Sequence, residues 1–265
     1  MKKCFSPRIW IVTLVFAFVV AFMLARLTFA AEQKQARVTE VIHDVHLLAG
    51  QTAMRPALVN DTVHEGTAVR TGTDSRTELI FLDQTLTRLG ANTVFSFGGA
   101  ARTYDLGGGA ILMSAPKEAG TVKITTAAVT CGVSGFTAIM ERHPKTWNKF
   151  ILLHGNGWLK IKGLPGDPCT LHSGQMVVFP PHPTHCPQVL NIDVSKLLNG
   201  KFVKGFKGPL PELDIILADI ETLPQDGGGR IDPTNQDAID QAMNAHMEPR
   251  PEPRPTIIPG GRISK

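Results

Sequence analysis

Between residues 37 and 180 the chain repeats one pattern, in which short apolar runs are separated by turn-forming residues at intervals of about 8–15 residues. No long part of this region shows the 3.6-residue period of an amphipathic helix. Glycine and proline, with 25 and 19 residues among 265, supply the turns. Such a pattern is typical of all-β sandwiches, barrels and short solenoids. We therefore predict an all-β fold, either a multi-stranded β-sandwich or a short β-solenoid-like domain.

The same pattern places individual strands and chain reversals. Only Asp83 and Gln84 separate two of the strands, which is the length of a two-residue hairpin connection. The glycine run at 107–109 and the Gly-Asn-Gly sequence at 155–157 predict further reversals. We expect residues 37–179 to fold independently as an all-β unit. The predicted strands span residues 37–42, 67–71, 78–82, 85–89, 93–97, 102–106, 110–113, 122–126, 136–141, 149–154, 157–161 and 175–179.

After residue 190 the pattern changes to short helices. Helices are predicted at 194–198, at 213–223 and at 234–247, the last with Thr234 or Asn235 as its N-cap. These segments form a predicted helical C-terminal extension over residues 190–247. Residues 248–265 contain five prolines and few apolar side chains, so they cannot bury a core and are expected to be a disordered tail.

The first thirty residues have the order of parts found in secretory signal peptides. A basic start precedes an almost purely apolar run at residues 9–25, and small residues follow. We expect cleavage between Ala30 and Ala31, which makes residues 1–30 a signal peptide. A 17-residue helix spans about 25 Å, close to a thin bilayer core, so an uncleaved inner-membrane anchor at residues 9–25 is the alternative. In either case we expect the body of the protein to be exported to the periplasm or cell envelope.

The positive net charge of the chain is confined to this N-terminal segment. The chain has 27 basic and 23 acidic residues, and Lys2, Lys3, Arg8 and Arg26 all precede its first acidic residue, Glu32. The remaining chain is therefore balanced. The balanced charge gives no electrostatic reason to expect binding to a nucleic acid. Contact with a membrane is expected only through the N-terminal segment.

Three cysteines remain in the part expected to be exported. An odd number in an oxidising compartment indicates one disulfide and one leftover thiol. Cys169 and Cys186 are 17 residues apart with a predicted strand between them, and we predict that they form the bridge. Cys131 lies in a run of threonine, valine and glycine, where a free cysteine packs as a small apolar residue.

A series of short motifs runs through the strand-rich region. The sequence reads GTAVRTGTDSRTEL at 66–79 and TLTRLG at 85–90. VSGFT follows at 133–137, LLHG at 152–155 and SGQ at 173–175. Together these motifs resemble the FecR-type periplasmic domain over about residues 36–179. We therefore expect residues 36–180 to form a FecR-like β domain.

The resemblance also shows where this chain departs from the family. Signalling members carry a cytoplasmic helical segment that binds a sigma factor and a terminal module that pairs with an outer-membrane receptor. Here eight residues precede the apolar run, and the proline-rich tail resembles no such module. Asp83-Gln84 stands in place of the commoner Asp-Gly, and Ser134-Gly135-Phe136-Thr137 in place of Arg-Gly-Thr. We interpret the chain as a stand-alone FecR-type protein without the sigma-factor-binding segment.

One histidine-containing loop offers an alternative function. The spacing of Gly174, Pro180 and His185 resembles the second motif of the cupins, which are metal-binding β-barrels. His182, His185 and Cys186 carry side chains that can bind a metal such as zinc. The first cupin motif has no counterpart in residues 132–149. We therefore predict no metal and no cofactor, and keep a cupin-like metal-binding protein or enzyme using His182 and His185 as the alternative.

No group of residues in the sequence indicates catalysis. No serine lies in a G-x-S-x-G frame, the glycine run lacks a phosphate-loop ending, and the paired carboxylates Asp214/Asp219 and Asp237/Asp240 fall on polar faces of expected helices. We predict no catalytic residues and a binding or structural module of the envelope, whose partner is an envelope protein or a glycan. A membrane-anchored scaffold with an extended tail is a second alternative.

Overall fold

The computed structural model describes residues 35–50, 54–99, 102–222 and 230–247. The predicted signal peptide with its cleavage site at Ala30 and Ala31, the alternative anchor at residues 9–25 and the proline-rich tail lie outside these ranges. No helix within them is both long and apolar enough to cross a membrane. The strands are β1 (Gln35–Ile42), β2 (Val45–Ala49), β3 (Arg55–Pro56), β4 (Thr62–His64), β5 (Thr67–Thr71), β6 (Arg76–Phe81), β7 (Leu86–Leu89), β8 (Val94–Gly98), β9 (Thr103–Ala115), β10 (Thr121–Thr125), β11 (Val129–Arg142), β12 (Asn148–Ile161), β13 (Cys169–His172), β14 (Gln175–Phe179) and β15 (Leu190–Asn191).

Three long strands, β9, β11 and β12, connect the two layers of the fold. The first half of β9 pairs with β8 and β10, and its second half pairs with β7 and β11. From β9, one flank continues through β7, β6 and β1 to the edge strand β4, and the other through β8, β5 and β2 to β3. The flanks enclose a common apolar core. The result is a β-sandwich whose layers share bent strands, and the predicted mostly β fold is confirmed.

Glycines allow the long strands to bend without breaking. Gly109 has φ +85°, and a Cβ there would lie 2.4 Å from Thr93 Oγ1. Gly155 has φ +99°, and a Cβ there would lie 2.6 Å from the carbonyl oxygen of Gly135. Only glycine fits both restrictions. The predicted reversals at 107–109 and 155–157 are therefore wrong: the chain bends and continues as one strand, because neighbouring strands go on pairing past each glycine.

The hairpin between β6 and β7 is one residue longer than predicted. Phe81 N donates to Thr85 O at 2.9 Å, which leaves a loop of three residues, Leu82, Asp83 and Gln84. Gln84 N donates to Phe81 O at 3.0 Å, and Gln84 itself has φ +66°. This is the three-residue loop in which a type I turn is followed by one left-handed residue. The register of the two strands consequently pairs Glu78 with Arg88.

Four helices follow the strands: α1 (Val194–Leu198), α2 (Lys201–Lys204), α3 (Leu213–Thr222) and α4 (Gln236–Met247). Asp193 caps α1, since its Oδ1 accepts a hydrogen bond from Ser195 N at 3.1 Å. Asn235 caps α4 in the same way, accepting from Asp237 N at 2.9 Å. α2 has no counterpart among the predicted helices.

The helices cover an apolar surface on the outside of the sandwich. Along β9, β11 and β14, alternate side chains point to opposite faces, so Met113, Met140 and Val177 lie in the core between the layers, whereas their neighbours belong to a second apolar cluster. That second cluster joins strands to helices. Its strand residues include Leu112, Ile139, Ile151, Leu153 and Val178, and its extension residues include Ile192, Leu197, Leu210, Ile216 and Ile239.

Candidate functional site

Arg88 is the largest fully buried side chain among the described residues, and it lies on β7 beneath the C-terminal extension. Its Nε donates to Glu78 Oε2 at 2.9 Å. Its Nη1 donates to the carbonyl of Phe202 at 2.7 Å, and its Nη2 donates to that of Gly208 at 2.6 Å. The guanidinium carbon also lies 4.6 Å from the ring centre of Phe206. One arginine thus contacts the sandwich through a carboxylate and the extension through carbonyls.

Glu78 completes this buried ion pair. Its side chain is 7% exposed, and its Oε1 accepts a hydrogen bond from Thr39 Oγ1 at 2.7 Å. Removing two charges from water is costly unless further hydrogen bonds satisfy them. The extension supplies those hydrogen bonds through its carbonyls, so the burial of Arg88 depends on residues more than a hundred positions further along the chain.

Lys149 on β12 is a second buried cation beneath the extension. Its side chain is 4% exposed, and its Nζ donates to the carbonyl of Pro233 at 2.9 Å. The same Nζ lies 3.2 Å from Glu141 Oε2 and 5.3 Å from the ring centre of Trp147. Lys149 therefore holds the segment before α4, and Arg88 holds α2 together with the segment that follows it. We call Arg88 and Lys149 the clamp residues.

His154, Ser173 and Asp219 come together between the strands and α3, and they are the three residue types of a hydrolase triad. His154 Nδ1 lies 2.6 Å from Asp219 Oδ2, and Ser173 Oγ donates to that same oxygen at 2.7 Å. Ser173 Oγ also accepts from Gly155 N at 3.0 Å. In a triad the serine donates to the histidine that removes its proton. Here it donates to the carboxylate, so the cluster fastens α3 to the strands and does not activate a nucleophile.

Asp219 therefore differs from its sequence-based interpretation as part of a solvated carboxylate face. It is half-buried and hydrogen-bonded to two strand residues, whereas Asp214, on the same helix, is exposed. Glu212, next to the start of α3, also contacts the sandwich, accepting from Thr137 Oγ1 at 3.3 Å. Desolvation raises the pKa of Glu212 above its ordinary value, and this effect outweighs the opposing influence of His154.

The structure places the predicted disulfide cysteines together. Cys169 and Cys186 form a bridge whose Cα atoms lie 5.9 Å apart. Cys131 is a free cysteine, fully buried in the core. Burial raises the pKa of the Cys131 thiol, which keeps it protonated and unreactive. This pairing stays a prediction for the protein in solution, and a count of free thiols in the denatured chain tests it.

The residues of the metal-binding alternative do not form a ligand set. Cys186 is bonded to Cys169, so its sulfur is not a thiolate ligand. His182 is exposed, and His185 Nδ1 lies 3.3 Å from Thr184 Oγ1. In the part of the chain that the structure describes, no group of three or more histidine, cysteine, aspartate or glutamate side chains is arranged to hold a metal ion.

Sequence reasoning missed the clamp residues. Both lie opposite a carboxylate on the neighbouring strand, Arg88 opposite Glu78 and Lys149 opposite Glu141. Opposite charges at paired positions of adjacent strands are the signal that could have found them. Detecting that signal requires the exact register of each strand pair.

Comparison with known proteins identifies the central part of the sandwich. Residues 67–156, from β5 into β12, match the family model described as FecR protein. The chain contains a FecR domain. Glu78, Arg88, Lys149 and His154 lie inside the FecR match, while the groups of the extension that contact them lie after it.

Two crystal structures are similar to this chain. Both are of a protein from Parabacteroides distasonis ATCC 8503 described as a "putative anti-sigma factor", with 15% sequence identity and a TM-score of 0.42. Each match covers 50% of this chain and 65% or 64% of the other chain. No curated protein matches the sequence.

Proposed function

We propose that this protein is an exported, non-catalytic module of the periplasm or cell envelope that acts by binding another protein. The observation that carries the proposal is the FecR domain at residues 67–156, built on a β-sandwich. The order of basic, apolar and small residues in the first thirty positions supports export. The disulfide between Cys169 and Cys186 fits an oxidising compartment.

The engagement of the reactive side chains supports a non-catalytic role. The hydroxyl of Ser173 is used in hydrogen bonds to Asp219 and Gly155. The thiol of Cys131 is buried in the core. The buried charges of Glu78 and Arg88 neutralise each other and hold the extension. These groups stabilise the fold and are not poised over a substrate site.

Export is tested by locating the full chain in intact bacterial cells. We expect the tagged protein to be digested by protease added to spheroplasts, and we expect Ala31 at the mature N-terminus. The control variant Val15→Arg interrupts the apolar run, and it should leave the protein inside and protected. Protection of the wild-type protein would contradict export, and a membrane-bound protein that retains Met1 would support the anchored alternative.

The binding role is tested by photo-cross-linking in living cells. Leu58 and Leu217 are 64% and 43% exposed on the sandwich and on α3, and each is replaced in turn by a photoreactive amino acid. A protein partner predicts a discrete cross-linked adduct from at least one position. If both positions give no adduct while the protein sediments with isolated cell-wall glycan, the partner is a glycan and the proposal of a protein partner is wrong.

Metal analysis of the purified chain addresses the cupin-like alternative. Stoichiometric zinc or iron that is lost on His185→Ala would replace the present proposal. Metal well below stoichiometric amounts, equal in the wild type and the variant, is the result that we expect.

A further inference from the structure

A pocket of about 150 Å³ opens at the junction between the FecR domain and the C-terminal extension. Its sandwich side is formed at the start of β6, the turn after β7 and the middle of β9, and α2 closes it from the extension side. The wall is largely apolar with charged groups at its rim. The residues that line it include Asp74, Arg76, Ala91, Ala110, Lys201 and Phe202.

Arg76 is the unusual member of this lining. Its Nε is buried, and it has no hydrogen-bond partner among the described residues. Buried guanidinium N–H groups are almost always paired, as in Arg88, which donates to a carboxylate and to carbonyls. A buried donor without a partner costs free energy. Arg76 as a whole is only partly buried and lines the pocket, so a ligand would meet the outer N–H groups of the same guanidinium.

The charges around the pocket favour an anion. Arg76 and Lys201 are cationic and Asp74 is the single acidic residue of the lining. Asp74 Oδ1 lies 3.7 Å from Lys201 Nζ, and both side chains are more than 70% exposed, so this pair is weak and readily rearranged. A planar guanidinium matches a carboxylate in two parallel hydrogen bonds.

The size and the apolar wall define the rest of the ligand. A cavity of about 150 Å³ lined by apolar groups is large enough for a benzene ring. The ring of Phe202 and the methyl groups of Ala91 and Ala110 provide such a lining. We propose that this pocket binds a small organic carboxylate whose apolar body, about the size of one aromatic ring, packs on Phe202 and whose carboxylate contacts Arg76 and Lys201.

This site would couple ligand binding to the attachment of the extension. Phe202 lines the pocket with its side chain and accepts a hydrogen bond from Arg88 with its carbonyl. A ligand between Arg76 and Phe202 therefore contacts both the FecR domain and α2. Because such a ligand binds only the folded state, it should raise the melting temperature. The inference does not depend on the proposed protein partner.

The test uses the purified chain with benzoate as the probe, followed by calorimetry and thermal unfolding. Benzamide, which is nearly isosteric and neutral, and inorganic phosphate, which has charge but no apolar body, are the comparison ligands. We expect saturable binding of one benzoate per chain and a rise in melting temperature with concentration. Benzamide and phosphate should each bind at least about tenfold more weakly, because benzamide lacks the negative charge and phosphate lacks the apolar ring.

Variants separate the pocket from unspecific effects. Arg76→Met should weaken benzoate binding at least about tenfold, while the matched control Arg70→Met, an exposed arginine on β5, should leave it unchanged. Ala91→Leu narrows the pocket without touching the cation and should also weaken binding, so the test holds even if Arg76→Met is unstable. Absence of saturable benzoate binding, equal binding by Ala91→Leu, or equal binding of phosphate and benzoate would each overturn the proposal.

Discussion

The buried ion pair between Arg88 and Glu78 predicts a large loss of stability when one partner is removed. Arg88→Met leaves the carboxylate of Glu78, which is 7% exposed, without its cation and removes the donors to the carbonyls of Phe202 and Gly208. We expect a decrease of about 3–5 kcal/mol in the free energy of unfolding, measured by urea denaturation. Arg70→Met, at an exposed position, should change it by less than about 0.5 kcal/mol. A loss below about 1 kcal/mol for Arg88→Met would contradict a clamp role.

Glu212 predicts a pH dependence of stability. Desolvation raises the pKa of this half-buried carboxyl in the folded protein. A raised pKa means that folding favours the protonated form, so the contribution is fully present below the pKa of the unfolded chain and is lost as the pH rises through the folded pKa. Glu212→Gln should therefore raise the melting temperature at pH 7 and have little effect at acidic pH.

The control for Glu212 is Glu221→Gln, because Glu221 is an exposed carboxylate on α3. This change should leave the melting temperature nearly the same at both pH values. If Glu212→Gln lowers the melting temperature at pH 7, the interaction of the carboxylate with Thr137 or His154 outweighs its desolvation.

The cysteines predict a simple count. With a bridge between Cys169 and Cys186 and a free Cys131, the unreduced protein beginning at Ala31 should show one thiol after denaturation. The native protein should show none on the same timescale, because Cys131 is fully buried. A count of three thiols after denaturation would show that Cys169 and Cys186 are not bonded to each other.

At the scale of elements, the sequence predicts strand positions well and register poorly. A two-residue loop at Asp83-Gln84 would have placed Leu79 opposite Arg88, whereas the actual three-residue loop places Glu78 there. A shift of one residue exchanges the faces of a whole strand. Residue preferences do not predict a left-handed conformation for Gln84. Without the third loop residue, the sequence does not place Glu78 opposite Arg88 and does not reveal the ion pair.

The missed and merged strands have similar causes. The sequence predicts two strands in place of β9 and two in place of β12, because glycine runs usually mark turns. In the structure, the same glycines bend a paired strand without ending it. β2 and β13 were not predicted. Both are short and pair at the flanks of the sheet, where their apolar residues alternate with exposed ones over too few positions to form a clear pattern.

The bend in β12 predicts a specific cost for adding one methyl group. Gly155→Ala requires a positive φ for alanine and places its Cβ 2.6 Å from Gly135 O. Gly163 is the matched control, with φ +80° and no atom within 4 Å of the position that an alanine Cβ would take. We expect Gly163→Ala to cost about 1–2 kcal/mol from the backbone alone and Gly155→Ala at least about 1 kcal/mol more. Equal losses in urea denaturation would show that β12 accommodates the contact.

At the scale of the whole molecule, the extension completes the sandwich. Sequence patterns locate three of its four helices but not the surface that they cover, because amphipathic faces do not specify which apolar surface they meet. The prediction that residues 37–179 fold independently requires that these residues share one core among themselves. The structure has a second apolar cluster, in which Ile139, Ile151 and Leu153 pack against the extension. The clamp residues also depend on the extension for hydrogen bonds.

From the second apolar cluster and the clamp residues we infer that the FecR domain and residues 190–247 fold as one cooperative unit. Urea unfolding tests this by comparing two chains that begin at Ala31 and end at residue 189 or at residue 247. Both keep the Cys169–Cys186 bridge. We expect a single cooperative transition for the longer chain, and loss of that transition or a much lower midpoint for the shorter one. Cooperative unfolding of the shorter chain at the same urea concentration as the longer chain would contradict it.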